Sequence, residues 1–315
     1  VIQAQPPKRF IDISVVPDKT DWTYKLGEKA KFFVSVTQSG TPVQTEELRY
    51  AVMPEKMEAT SKGILKLDKG KAVVEGGTLK QAGFLRCEVY AVVNGKEYKG
   101  IGTAAYEPAL IKPTVENPSD FENFWNEAKA SLATIPIDAK MALLPERCTE
   151  TVDVYHVSLQ NIKNSRVYGI LCVPKGEGKF PALLQVPGAG IRPYNGDVTK
   201  AQNGVITLQI GIHGIPVILQ QEFYQHLAAG ALNGYPAFNL DNRDTYYYKR
   251  VYLGCVRAVD FLTTLPQFNG TDLGISGGSQ GGALSIITAA LDSRIKYLTA
   301  FYPALSDVTG YLHNR

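Results

Sequence analysis

Along this chain the spacing of apolar residues changes character once, near residue 107, and that change constrains the fold more than any other feature. Before it, apolar and polar residues alternate at period two in Phe10–Val16, Ala30–Val36 and Leu85–Val92. After it, near-continuous apolar runs such as Pro181–Val186, Val205–Leu208, Leu273–Ile275 and Tyr297–Phe301 alternate with helical stretches. Period-two alternation places one strand face in a core and the other in water. Continuous runs suit parallel strands buried on both faces.

The first grammar predicts an all-β, immunoglobulin-like sandwich over residues 1–107. Turn signals separate its short strands at Lys25-Leu26-Gly27-Glu28, Gln38-Ser39-Gly40 and Asn94-Gly95-Lys96. It has no Cys…Trp…Cys pattern, which argues against a true antibody-type domain, and Trp22 is expected to pack rather than to present a sugar platform. Residues 108–118 carry three prolines and read as a linker. A helix then opens at Ser119-Asp120-Phe121-Glu122-Asn123-Phe124-Trp125, with Ser119 as cap and Glu122 as capping-box partner. Phe121, Phe124, Trp125 and Ala128 form its core stripe.

The second grammar predicts an α/β domain over 119–315. Half-buried strands at Val152–Leu159 and Val167–Val173 precede the apolar runs. Tyr247–Thr264 and Ala283–Leu291 are the helices between the later strands, and the alternation makes a doubly wound sheet.

At 315 residues the chain has room for both cores. Its net charge of +3 is spread among mixed signs, without the basic stripe that nucleic-acid binding needs. No apolar run is long enough to span a bilayer. Cys87, Cys148, Cys172 and Cys255 are far apart and read as buried small apolar residues, neutral on redox compartment. The small-residue stretch through Ala4 fits either the remnant of a signal-peptide cleavage region or a trimmed chain.

Chemistry concentrates in Asp272-Leu273-Gly274-Ile275-Ser276-Gly277-Gly278-Ser279-Gln280-Gly281-Gly282-Ala283. Gly277-x-Ser279-x-Gly281 falls between an apolar strand and a helix, the context of a nucleophile elbow. Glycines on both sides allow the strained turn that projects the serine, and the backbone N–H of Gln280 would then face a developing oxyanion. The competing reading is a phosphate-binding turn, but the turn has no Lys or Arg and no GKS or GKT continuation. A second oxyanion donor is expected after an earlier strand. Val186-Pro187-Gly188-Ala189-Gly190 supplies it, with the N–H of Ala189 as donor.

Asp244-Thr245-Tyr246-Tyr247-Tyr248-Lys249-Arg250-Val251-Tyr252-Leu253, followed by Gly277-Gly278-Ser279-Gln280-Gly281-Gly282, resembles the acetyl xylan esterase and cephalosporin C deacetylase family of α/β-hydrolases. Asp120-Phe121-x-x-Phe124-Trp125 and Phe301-Tyr302-Pro303-Ala304-Leu305-Ser306 extend the likeness over residues 117–315. The resemblance implies an α/β-hydrolase fold, removal of acetyl groups from sugar hydroxyls, Ser279 as nucleophile, and neither metal nor organic cofactor. Its implied partner is acetylated carbohydrate such as xylan or xylo-oligosaccharide, in a secreted or periplasmic setting, with a homo-oligomer possible. Two departures stand out. Pro187-Gly188-Ala189 replaces a His-Gly-Tyr stretch, removing an aromatic wall near the acyl group. Gly254 replaces an acidic residue.

His213, after the Val205 strand, is a candidate substrate contact or a loop histidine held by hydrogen bonds. It precedes Ser279, whereas the fold's chain order is Ser, then acid, then His. His156 in a strand and His226 in a polar run are poor bases. Tyr246, Tyr247 and Tyr248 cannot share one helix face, so at least one ring is core. Asp241 and Asp244 lack further metal ligands, and Asp244 reads as a helix cap or ion-pair partner. After Ser279 come Asp292, at the far end of the nucleophile helix, then Asp307 and His313, neither well placed. The acid and base are therefore expected beyond Arg315, leaving the 315-residue polypeptide nearly inactive on acetyl esters, with Tyr297–Phe301 as a bare, association-prone edge. Hydrolysis of other esters, a peptidase of the same fold and a non-catalytic sugar-binding protein are the alternative functions.

Overall fold

A computed structural model describes residues 10–43, 47–113 and 116–306. It divides into two compact units, one up to residue 116 and the other from residue 117.

The first unit contains strands β1 (Ile11–Pro17), β2 (Thr23–Tyr24), β3 (Ala30–Gln38), β4 (Thr41–Pro42), β5 (Glu47–Pro54), β6 (Ser61–Leu65), β7 (Lys71–Gly77), β8 (Gly83–Val93) and β9 (Lys96–Tyr106). One sheet groups β1, β3, β4 and β7, and the other runs β2-β9-β8-β5-β6. Alternation decides the core: Ile11, Ile13 and Val15 of β1, Phe32, Val34 and Val36 of β3, and Leu85, Cys87, Val89 and Ala91 of β8 are all buried. Two glycines set how closely β1 lies against β9. A Cβ on Gly102 would sit 2.5 Å from the Val15 carbonyl oxygen, and one on Gly100 2.6 Å from that of Ile13. Trp22 corrects an expectation. It is 53% exposed, at a left-handed φ of 59°, so it packs into no core.

The second unit contains α1 (Phe121–Ala133), β10 (Lys140–Leu143), β11 (Val152–Gln160), β12 (Arg166–Pro174), β13 (Phe180–Gln185), α2 (Val198–Gln202), β14 (Ile206–Gly211), α3 (Gln221–Ala229), α4 (Tyr247–Thr264), β15 (Phe268–Gly278), α5 (Gln280–Leu291) and β16 (Tyr297–Phe301). Its seven-stranded sheet has the order β10-β11-β12-β14-β13-β15-β16. The sheet is mixed. Pairings from β10 through β14 are antiparallel, and those linking β14, β13, β15 and β16 are parallel. Among the described residues β10 and β16 are the two edge strands, and Tyr297, Leu298 and Phe301 on β16 are exposed.

Helix α4 lays Val251, Cys255, Ala258, Val259 and Leu262 on the sheet core, and its Leu253 and Val256 pack on Ala128 and Leu132 of α1. Between them Arg257, 2% exposed, donates to the carbonyls of Leu132 at 2.6 Å and Ile135 at 3.0 Å. A cation at a helix C-terminus meets the negative end of the dipole and the orphan carbonyls together.

The start of α1 differs from the expected capping box. Its N-cap is Asp120, without a side-chain cap, because the Asp120 carboxylate is engaged by Arg243 at 2.5 and 2.9 Å. Within the expected stripe Phe121 is exposed, Phe124 and Trp125 are half-buried and Ala128 is buried. Asp244 does not cap α4, whose N-cap is Tyr246. It pairs with Lys249 at 2.7 Å.

β13, β14 and β15 are mutually parallel neighbours, so the loops at their carboxyl ends share one sheet edge. Strand order departs from chain order there, which is where ligands bind open α/β sheets.

Candidate active site

Three loops meet at that edge: 187–190 after β13, 212–214 after β14, and the turn at Ser279 after β15. Ser279 has φ 56° and ψ −122° and caps α5. That backbone conformation costs a non-glycine residue on the order of 1–3 kcal/mol. Three backbone hydrogen bonds hold it. Ser279 N–H donates to Phe301 at 3.0 Å, and its carbonyl accepts from Ala304 at 2.9 Å and Ala283 at 3.2 Å. At a net of roughly 0.5–1.5 kcal/mol each, such bonds offset a strain of that size.

The flanking glycines are required by contact. A Cβ on Gly281 would lie 2.4 Å from the Val186 carbonyl oxygen, and one on Gly277 2.5 Å from that of Gly281. Gly188 lies beside the serine, with its would-be Cβ 4.0 Å from Ser279 Cβ.

Among the described residues the Ser279 hydroxyl makes no hydrogen bond, and the N–H groups of Gly188 and Ala189 donate to no protein acceptor. Gln280 is the first residue of α5, so its N–H has no partner inside the helix. Unpartnered donors from loop 187–190 and from the first turn of α5 therefore lie on either side of a half-buried hydroxyl, and Ala189 is exposed.

The Gln280 side chain is 2% exposed and ties the loops together. Its Nε2 donates to the Pro187 carbonyl at 3.1 Å, and its Oε1 accepts from the hydroxyls of Tyr235 at 2.7 Å and Tyr248 at 2.6 Å. The Tyr235 oxygen also accepts from Gly190 N–H at 3.3 Å. Arg192 Nη2 donates to the carbonyls of Gly188 at 2.8 Å and Ala189 at 2.9 Å. Sequence reasoning missed Tyr235, Arg192 and the side-chain role of Gln280. A lone cation just after a glycine loop was the one signal available for Arg192.

His213 has both ring nitrogens engaged, Nε2 with the Gly190 carbonyl at 3.1 Å and Nδ1 with the Tyr247 hydroxyl at 2.7 Å. Burial pushes the Tyr247 phenol up to about 12, so it stays protonated. The network assigns a neutral imidazole donating from Nε2 and accepting at Nδ1. Of the tyrosine cluster, Tyr248 is fully buried and Tyr246 and Tyr247 half-buried.

His156 stacks on Tyr168, and His226 is exposed in the last turn of α3. Asp292 is bound by Arg294 through Nε at 2.9 Å and Nη2 at 2.6 Å. Asp307 and His313 lie outside the described residues. At Gly254 a Cβ would meet Val167 Cγ2 at 2.9 Å and Asn161 Nδ2 at 3.2 Å, so close packing of α4 on β12 leaves no room there for an acidic side chain.

Burial, followed by the charges of Arg250 and Arg192, holds the His213 pKa below its ordinary 6.5, against the raising effect of the Gly190 carbonyl. Burial lowers His156 as well. The unfolded chain therefore takes up these protons first. The associated stability is complete above pH 6.5 and is lost as pH falls through the folded values. Urea unfolding between pH 8 and pH 5 should show stability falling with pH, with a shallower slope for His213→Gln. An unchanged slope in that variant would remove His213 from the account.

A family model for acetyl xylan esterases matches residues 109–312. The acetyl esterase Axe7A of Xylanibacter ruminicola is 40% identical over 305 residues, covering 95% of this chain and 69% of that protein. Among solved structures, the acetyl xylan esterase of Paenibacillus sp. R4 is 27% identical with a TM-score of 0.55, covering 65% of this chain and 66% of that one. Acetyl xylan esterase 1 of Thermoanaerobacterium sp. JW/SL YS485 is similar in fold, at 23% identity and a TM-score of 0.54 over 62% of each chain. The chain thus spans about two thirds of the length of these relatives. With a serine on a strained strand-to-helix turn, flanked by unpartnered backbone donors, and with these likenesses, the chain belongs to the acetyl xylan esterase family of carboxylic ester hydrolases.

Proposed function

We propose that the protein removes acetyl groups from acetylated carbohydrate, such as xylan or xylo-oligosaccharides, with Ser279 as nucleophile. The observation that carries this reading is the left-handed Ser279 at the start of α5, beside the N–H groups of Gly188 and Ala189, which have no partner among the described residues. Ser279 Oγ forms a bond to the acetyl carbonyl carbon and gives its proton to a base. The carbonyl oxygen becomes an oxyanion held by the N–H groups of Ala189 and Gln280. The bond to the sugar oxygen then breaks and that oxygen takes the proton. Water hydrolyses the acetyl-enzyme to acetate and restores the serine. The exposed, small Ala189 leaves space beside the acyl group.

The base must come within hydrogen-bond reach of Oγ, directly or through one water. His213 is committed at both nitrogens, so we assign the base and its orienting acid to residues outside those described. We also assign the second unit to the α/β-hydrolase fold and the first to an immunoglobulin-like sandwich domain, joined through residues 108–118. A polysaccharide substrate places the protein outside the cytoplasm, secreted or periplasmic. Limited proteolysis should cut first within 108–118 and release a β-rich fragment. First cuts elsewhere would count against that division.

The functional test is acetate release by the full-length protein from acetylated xylo-oligosaccharide, with a peptide amide in parallel. Acetate release without amide cleavage is expected. Cleavage of the amide alone would replace the esterase reading with a peptidase one, and no turnover of either would favour a non-catalytic sugar-binding role.

A further inference from the structure

Every carbonyl of loop 187–190 accepts a hydrogen bond from a side chain: Pro187 from Gln280, Gly188 and Ala189 from Arg192, and Gly190 from His213. Loops seldom have their carbonyls held so completely, because most side-chain hydrogen bonds in loops are scattered and water competes for exposed groups. The consequence lies in the peptide planes. All peptide bonds among the described residues are trans, so each carbonyl points opposite to the N–H of the following residue. Fixing the Gly188 carbonyl fixes the direction of the Ala189 N–H, and fixing the Pro187 carbonyl does the same for the Gly188 N–H. A donor bonded to a carbonyl also polarises its amide, which strengthens the N–H on the other side.

We propose that the side chains of Arg192 and Gln280 are positioning groups that aim and polarise the backbone N–H groups of Ala189 and Gly188 toward the oxyanion formed at Ser279. The inference rests on the reading of Ser279 as nucleophile and concerns the side chains of Arg192 and Gln280, which touch neither substrate nor reacting atoms even though the backbone N–H of Gln280 is itself an oxyanion donor. The two differ in cost of removal. Gln280 is buried and also serves Tyr235 and Tyr248, so its loss disturbs a packed network. Arg192 is exposed, and its loss removes two hydrogen bonds to the loop without opening a core. Arg192 is also a cation close to the developing charge, so its hydrogen-bond geometry has to be separated from its charge. Both bonds come from the one nitrogen Nη2; lysine keeps the charge but carries its donors on a flexible stem, without the pre-organised planar guanidinium that holds that nitrogen in place.

The test compares wild type, Arg192→Met, Arg192→Lys and Gln280→Met in the full-length protein. It measures kcat and KM for p-nitrophenyl acetate, inhibition by phenylboronic acid, which forms a tetrahedral adduct on an active-site serine, and the urea midpoint. Loss of one oxyanion donor costs about 10²–10³ in kcat, and misaiming a donor should cost less. Arg192→Met is expected to lower kcat about 10- to 100-fold with KM within about twofold. Boronate affinity should fall in step while the urea midpoint stays near wild type, and Arg192→Lys should recover only a minor part. Gln280→Met should show the same kcat pattern with a lower midpoint. The proposal is overturned if Arg192→Met keeps wild-type kcat, if its effect lies in KM, or if Arg192→Lys restores full activity. It is also overturned if boronate affinity does not follow kcat. A wild-type protein lacking turnover abolished by Ser279→Ala would remove the nucleophile reading itself, and the two failures are thereby told apart.

Discussion

Ser279→Ala in the full-length protein is expected to abolish ester hydrolysis, by a factor on the order of 10⁶ where nucleophile, base and acid act as a unit. The fold should not notice the change. The Ser279 hydroxyl has no hydrogen-bond partner among the described residues, and the bonds that hold the turn are made by its backbone N–H and carbonyl. The backbone itself supplies a sharper test. At φ 56° and ψ −122° an alanine is as strained as the serine, whereas glycine is not. Ser279→Gly should therefore be as inactive as the alanine variant yet more stable than wild type by about 1 kcal/mol, the lower end of such strain. The gain is reduced because glycine also loosens the unfolded chain. A glycine variant clearly less stable than the alanine one would mean that the strain at this residue is absent.

The second large effect is expected at Gly281. A methyl group there would be placed 2.4 Å from the Val186 carbonyl oxygen and 3.0 Å from the Pro187 carbonyl carbon. Both are backbone atoms where β13 runs into loop 187–190, so the clash cannot be relieved by turning a side chain. β13 or the start of α5 must shift. Overpacking of this kind destabilises by about 1–3 kcal/mol, and the upper end is expected because the obstacle is main chain. Displacing the serine relative to loop 187–190 by about 1 Å should cost at least about 10² in kcat. Gly278→Ala is the control: the nearest atoms its Cβ would meet lie 3.6 Å away, an ordinary contact, and its stability should stay near wild type. Comparable unfolding midpoints for the Gly281 and Gly278 variants would show that the turn has more room than its geometry indicates.

Much of this architecture is legible in the spacing of residues, because burial is periodic where structure is. The alternation in β1, β3 and β8, the apolar run of β16, and α4 from Tyr247 to Thr264 follow directly from such periods. Strand direction does not. β11 and β12 carry the same apolar positions whether their neighbours run parallel or antiparallel, so the mixed character of the sheet emerges only from pairing. The cap of α1 moved from Ser119 to Asp120 because a distant Arg243 holds that carboxylate, a contact across 123 residues of chain.

The site divides in the same way. The glycines around Ser279 announce a strained turn because only glycine tolerates such approach, and the Gly188-Ala189 stretch stood out for its small residues. Arg192, Tyr235 and Tyr248 gave no comparable signal. Their roles come from hydrogen bonds that join β13, the segment before α4, α4 and α5, and no local pattern records which tyrosine faces which glutamine.

The most direct test of the central claim is to catch the covalent intermediate. The full-length protein would be mixed with acetylated xylo-oligosaccharide, quenched in acid during turnover, digested and mapped by mass spectrometry. The account predicts an acetyl group on the hydroxyl of Ser279, absent from Ser279→Ala and from wild type quenched after substrate is exhausted. Rapid acetate release with the acetyl group on another residue, or with an equally active Ser279→Ala protein, would contradict it.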